Sequence, residues 1–112
     1  MDATHIDPHH HIGDTLLFDN DRVRVWSLTL EPGEESAVHE HPLDYVMVCI
    51  EGDRIAGHAT PGQDKPYGDM GGDIVDFPTH PGQTVFLEAG VTETAVNTGE
   101  TRYKNILVEL KD

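Results

Sequence analysis

The side chains most able to do chemistry begin at Val38-His39-Glu40-His41. In an extended strand, alternate residues share a face, so His39 and His41 project the same way. Two imidazoles on one strand face can take adjacent positions around a single metal ion. The spacing alone describes two polar residues at a strand end equally well. Tyr45 follows four residues later, and at positions of its parity come Met47 and Cys49. Asp44 adjoins Tyr45 and is expected to point to the opposite face. His58 and His80 are further imidazoles, the latter beside a Pro-Gly turn. Cys49 reads as a small buried hydrophobe, since a nucleophilic role needs a positioned base that the sequence does not supply.

These residues must be held by strands. Helix-length periodic runs are missing and turn signals recur at short intervals. Strands are expected over residues 22–30, 36–41, 45–51, 54–60, 74–79, 84–87, 92–97 and 101–110, with residues 61–72 a long loop containing two prolines. Such loops often cover sites. The valines at 23 and 25 and the leucines at 28 and 30 change parity, which suggests a bulge near Trp26. Ile106, Val108 and Leu110 alternate with polar neighbours, as in a half-buried strand. Eight or nine short strands suggest a sandwich or barrel, an all-β fold.

The chain has 112 residues, enough for one domain. Its 21 acidic and 7 basic residues give a net charge of −14. That field repels phosphate backbones and anionic membranes, so nucleic acid and membrane are not expected partners. It also fits a salt-adapted host. No apolar run long enough for a transmembrane helix exists. Residues 1–14 read as a polar leader and solvated arm, His9, His10 and His11 included, with residues 15–112 as the barrel. The leader lacks the layout of a secretory signal, so a cytoplasmic location is expected. The single cysteine, Cys49, rules out an intrachain disulfide or a multi-cysteine zinc site.

Wider spacing carries a resemblance. Gly33, five residues, His39-x-His41, three residues, Tyr45, six residues and Gly52 resemble the first motif of the cupin family. Gly82, five residues, Glu88-x-Gly90, two residues, Glu93, three residues and Asn97 resemble the second. The resemblance covers roughly residues 15–110 and implies a small single-domain jelly-roll β-barrel with a site at its centre. "HPLDYV" and "EAGVTETAVNTG" look like small stand-alone cupins, some of which carry a β-alanine-degradation label. One fold hosts many chemistries, so that label says little about substrate.

The family's usual metal set is three histidines and a glutamate. Here Tyr45 stands where Glu is usual, and Glu93 where His is usual. The resemblance therefore implies a metal set of His39, His41 and Glu93. Two histidines and one carboxylate leave open positions and suit Fe(II), with Mn(II), Ni(II) or Zn(II) also compatible. The alternative is Glu93 paired with a protonated His39 or His41. Three functional readings follow. The first is a metal-dependent enzyme (dioxygenase, isomerase or lyase) on a small organic molecule, with Tyr45 orienting substrate or donating a proton. The second is a barrel that binds a small ligand without turnover. The third is a barrel whose metal site has decayed. Val46, Val48 and Ile50 should face outward and need cover, which suggests a homodimer.

Overall fold

A computed structural model describes Asp7 and residues 10–111. Among the described residues nine strands form: β1 (Thr15–Asp19), β2 (Val23–Leu30), β3 (His39–Glu40), β4 (Tyr45–Glu51), β5 (Arg54–Ala59), β6 (Ile74–Pro78), β7 (Thr84–Leu87), β8 (Thr92–Val96) and β9 (Tyr103–Leu110). They pair antiparallel in two sheets, ordered β1-β2-β9-β4-β7 and β3-β8-β5-β6. This is the expected all-β jelly roll. The loop after β5 carries one short 3₁₀ turn, Gly68–Met70. Among the described residues no helix is long and apolar enough to cross a membrane.

Local chemistry starts the strands and ties them together. The Asn20 side chain accepts hydrogen bonds from the Arg22 and Val23 amides, both at 2.8 Å, and so turns the chain into β2. The motif asparagine, Asn97, is a structural tie. Its Nδ2 donates to the Leu30 and Thr101 carbonyls, each at 2.9 Å, and its backbone bonds to Gly33 and Glu34. Both motif turns are thereby clamped to each other.

The core lies between the sheets and includes Trp26, Leu28, Leu30, Tyr45, Cys49, Ile55, Tyr103 and Leu107. Tyr45 and Cys49 point inward as expected, while Ile50 on the other face is 45% exposed. Two sequence expectations are corrected. β2 has no bulge: it pairs with β9 without interruption from Val23 to Leu30, and Trp26 lies inward with Leu28 and Leu30. The irregularity is on β1, between Leu16 and Phe18, opposite Trp26 and Val25. The inward face of β9 is the reverse of the one its aliphatic residues suggest. Tyr103, Asn105, Leu107 and Glu109 are buried, and Ile106, Val108 and Leu110 face out. Partners explain the choice, since the inward Glu109 accepts a hydrogen bond from Trp26 Nε1 at 2.7 Å.

The arm expectation also changes where the structure describes it. Ile12 is 1% exposed and belongs to the core. His10 donates to Glu40 at 3.0 Å, His11 packs on the Trp26 ring, and Asp14 accepts from the Thr29 amide at 2.8 Å. Gly13 makes the close pass feasible, because a Cβ there would lie 2.6 Å from the Ser27 carbonyl oxygen. Residues 1–6, 8 and 9 of the leader, His9 included, lie outside the described residues.

Candidate metal centre

β3 and β8 bring the site together. His39 and Glu93 are direct cross-strand partners. His41 continues on the same face, and its backbone bonds to Val91 and Gly90 hold it beside β8. Residues 52 positions apart thus become neighbours. His39 Nε2 and His41 Nε2 are 3.1 Å apart, and Glu93 Oε2 lies 2.8 Å from His41 Nε2 and 3.5 Å from His39 Nε2. Ligand bonds of about 2.1 Å at right angles put neighbouring donors about 3.0 Å apart. The triangle has that size, so the three atoms fit one face of an octahedral ion.

The surroundings prepare these atoms. His39 Nδ1 is 2.9 Å from the Ala37 carbonyl, an acceptor only, so Nδ1 donates there and the ring is held with Nε2 facing the cluster. The His41 ring stacks on Tyr45, with centroids 4.0 Å apart and planes 8° apart. His41 Nδ1 is buried without a hydrogen-bond partner. Burial pulls the His41 pKa below its ordinary value, outweighing the opposing pull of Glu93, so the ring favours the neutral form that ligates metal. Burial acts to raise the Glu93 pKa, but hydrogen bonds from His39, His41 and Tyr67 win and hold it well below the carboxylate range.

Tyr45 is 2% exposed. Burial first, then the Glu93 charge, raise its hydroxyl well above the ordinary phenol value. It is therefore a neutral ring that braces His41 and not an ionised ligand. Asp44 is exposed and accepts from the Ala89 amide at 2.8 Å, away from the cluster. His58 and His80 are exposed, and Cys49 is buried in the core.

One functional residue escaped the sequence reading. Tyr67, from the loop between β5 and β6, donates its hydroxyl to Glu93 Oε1 at 2.6 Å. Burial, then Glu93, keep that hydroxyl protonated. Gly57 on β5 leaves the room, since a Cβ there would lie 2.6 Å from the Tyr67 hydroxyl oxygen and 3.0 Å from Glu93 Oε1. The loop's length was the available signal.

The cluster opens on a cavity of about 50 Å³ between the sheets. Its apolar wall includes Leu28, Met47, Ile55, Phe77 and Leu107, and Ile12 closes one side. No lysine or arginine lines it.

With two jelly-roll sheets and an inward histidine pair on record, likeness to solved structures decides the fold. A cupin domain from Bordetella pertussis Tohama I superposes with a TM-score of 0.70, at 24% identity over 88% of this chain and 91% of that one. A Cupin 2 conserved barrel domain protein from Salinispora arenicola CNS-205 gives 0.60 at 18% identity, over 87% and 73%. The fold is that of a cupin. No family model matches the sequence. Auxin-binding protein T85 of Nicotiana tabacum is 26% identical over 100 residues, which are 89% of this chain and 51% of that protein. The chain spans about half the length of the curated relatives it matches. In this cupin barrel, His39, His41 and Glu93 are the one described group of three or more metal-ligating side chains, with donor atoms within 4.8 Å of one another.

Proposed function

We propose that this cupin binds one divalent metal ion through His39, His41 and Glu93 and acts as a metal-dependent enzyme on a small organic molecule held in the adjoining cavity. The convergence of the three donor atoms carries this reading. Fe(II) suits the donor set best, with Mn(II), Ni(II) and Zn(II) compatible. When bound, such an ion supplies Lewis acidity and open coordination positions, and iron adds redox chemistry. The chain's own contributions are distinct. Tyr67 occupies Glu93 Oε1 and leaves Oε2 for the ion. Tyr45 fixes the His41 ring and keeps a protonated hydroxyl at the cavity, where it would orient the substrate or donate a proton.

The cavity limits the substrate. Room for a water takes about 10–15 Å³, so the space holds about four water-sized positions. A cavity known to hold benzene measures about 150 Å³, roughly three times this space. The walls favour a few-atom molecule with an apolar body and a polar group at the metal end, and the missing basic lining disfavours phosphates. A second reading, ligand binding without turnover, is favoured by the auxin-binding relative's name. An aromatic ligand of that kind would require Ile12 or the loop around Tyr67 to move aside. A cytoplasmic location belongs to the same reading.

Elemental analysis of untagged protein, purified without added metal, tests the site. About one ion per chain is expected. It should persist when His9 and His11 are replaced by Asn and be lost in Glu93→Ala, while Glu93→His should retain binding with three imidazoles. Protein that holds no ion after incubation with Fe(II), Mn(II), Ni(II) or Zn(II) would refute the metal reading. Glu93→Ala would then shift a histidine titration instead.

A further inference from the structure

The three donor residues lie deep. His39 and His41 are each 2% exposed and Glu93 is 8% exposed, so a ligand larger than a few atoms reaches them only if a wall gives way. Two larger clefts flank the metal cavity. One, of about 450 Å³, runs between residues 11–14 and residues 34–37 and shares Ile12, Leu28 and His39 with the cavity wall. The other, of about 380 Å³, lies beside the loop after β5 and shares Tyr45, Tyr67, Met70 and Leu87 with it.

The two partitions are held differently. On the loop side, Tyr67 donates to Glu93 and Tyr45 stacks on His41, so opening there disturbs the donor set. On the other side, Leu28 is fixed within β2 opposite Asn105, and His39 is bonded to the Ala37 carbonyl. Ile12 is the detachable member. It is 1% exposed, yet its backbone makes no hydrogen bond to the backbone of another described residue. The chain is fastened on either side of it. The Asp14 amide donates to the Ser27 carbonyl at 2.9 Å, and His10 contacts Glu40 at 3.0 Å. Residues 10–14 thus form a strap across the barrel, and the apolar contacts of one side chain hold its middle in place.

We propose that Ile12 is the gate residue of the metal cavity. It moves out with the middle of the strap, joins the cavity to the cleft beside it, and sets the size of molecule admitted. The inference rests on the reading of this cavity as the ligand pocket. With Ile12 displaced, an apolar head occupies the cavity and the volume that the side chain leaves, among Leu28, Ile55 and Leu107, and the rest of the molecule lies in the cleft. Asp14, Glu34 and Glu35 line that cleft, and among the described residues no lysine or arginine does. Such a lining repels a carboxylate and accepts a neutral or cationic group. The ligand class is a small apolar head with an uncharged or amine-bearing tail.

The test uses phenylbutanol and phenylbutylamine, titrated into the full chain and followed by calorimetry and NMR, with metal content measured on the same samples. The native chain should bind phenylbutanol, and Ile12→Ala should bind it about tenfold or more tightly, because the closed population no longer competes. Ile12→Leu should stay close to native. Leu107→Ala enlarges the cavity without opening it and should gain affinity for toluene but not for phenylbutanol. Nuclear Overhauser contacts should place the ring at Leu107 and the tail at Ala37. Phenylbutylamine should bind at least as tightly as the alcohol, with any preference shrinking in salt. Ile12→Val, with a gain of about twofold, serves if Ile12→Ala does not fold. No gain in a folded Ile12 variant, an equal gain in Leu107→Ala or Met70→Ala, or tail contacts at Phe86 on the loop side overturns the proposal. So does a native chain without saturable binding at millimolar phenylbutanol, or weaker binding of the amine. Expected probe behaviour in samples that take up no metal refutes the metal reading alone and leaves the gate standing.

Discussion

Replacing Tyr67 by Phe removes a single oxygen from a buried site, and the consequence can be worked from the geometry. The hydroxyl donates at 2.6 Å to Glu93 Oε1, a buried carboxylate oxygen. Hydrogen bonds to charged groups contribute about 1.5–3 kcal/mol. In Tyr67→Phe the ring still fills its place beside Val75 and Val91, so the loss concentrates on Glu93. Its Oε1 is left buried and unpaired, and the carboxylate is free to rotate away from the triangle it makes with His39 and His41. Outer-shell partners of this kind are worth about 10–100-fold in metal affinity. Competition titration of Zn(II) or Mn(II) against a chelating dye, alongside a thermal melt, should show a loss in that range with the fold retained. Gly57→Ala should reproduce it with the hydroxyl present, because the added Cβ would meet both the Tyr67 hydroxyl oxygen and Glu93 Oε1. Unchanged affinity in a folded Tyr67→Phe protein would show that Glu93 is positioned without Tyr67 and would refute the reasoning.

Three further outcomes are expected. Ile12→Ala should destabilise the fold by about 2–4 kcal/mol, as for a buried aliphatic residue, measured by denaturant unfolding; a change near zero would mean that residues 10–14 do not stay on the barrel. Glu109 is fully buried with Oε2 unpaired, and burial raises its pKa despite the Trp26 hydrogen bond and the Arg24 charge. The folded state then holds its proton to higher pH than the unfolded state does. This group's contribution therefore falls as pH rises through the unfolded value of about 4.3 toward the raised folded one. Glu109→Gln should flatten that part of the stability–pH curve, and an unaltered curve would count against it. Finally, a net charge of −14 opposes compaction, so the melting temperature should rise from low to molar sodium chloride as the charges are screened. A flat or falling curve would remove the support for salt adaptation.

The sequence by itself determined the strand-and-turn architecture, because turn residues and strand periodicity are local properties of the chain. It also determined that His39 and His41 share a face, since extended backbone fixes that for residues two apart. Glu93 was legible only through motif spacing, and its pairing with His39 is a long-range register that no local pattern encodes. Tertiary structure alone decided the rest. β9 has aliphatic residues on one face and Tyr103, Asn105, Leu107 and Glu109 on the other, so hydrophobicity favours the wrong face. Trp26 and Arg24, on the neighbouring strand β2, pair with Glu109 and settle the direction. The same pairing resolves β2, where Val23 and Val25 are apolar yet face out. Ile12 sits in a polar stretch, and its burial depends on a cavity that exists only once both sheets meet. Tyr67 lies in a loop without periodicity, and only the folded chain brings its hydroxyl to Glu93. A side chain's direction in a strand follows from its neighbours in sequence, but its partner follows from which strands close the barrel.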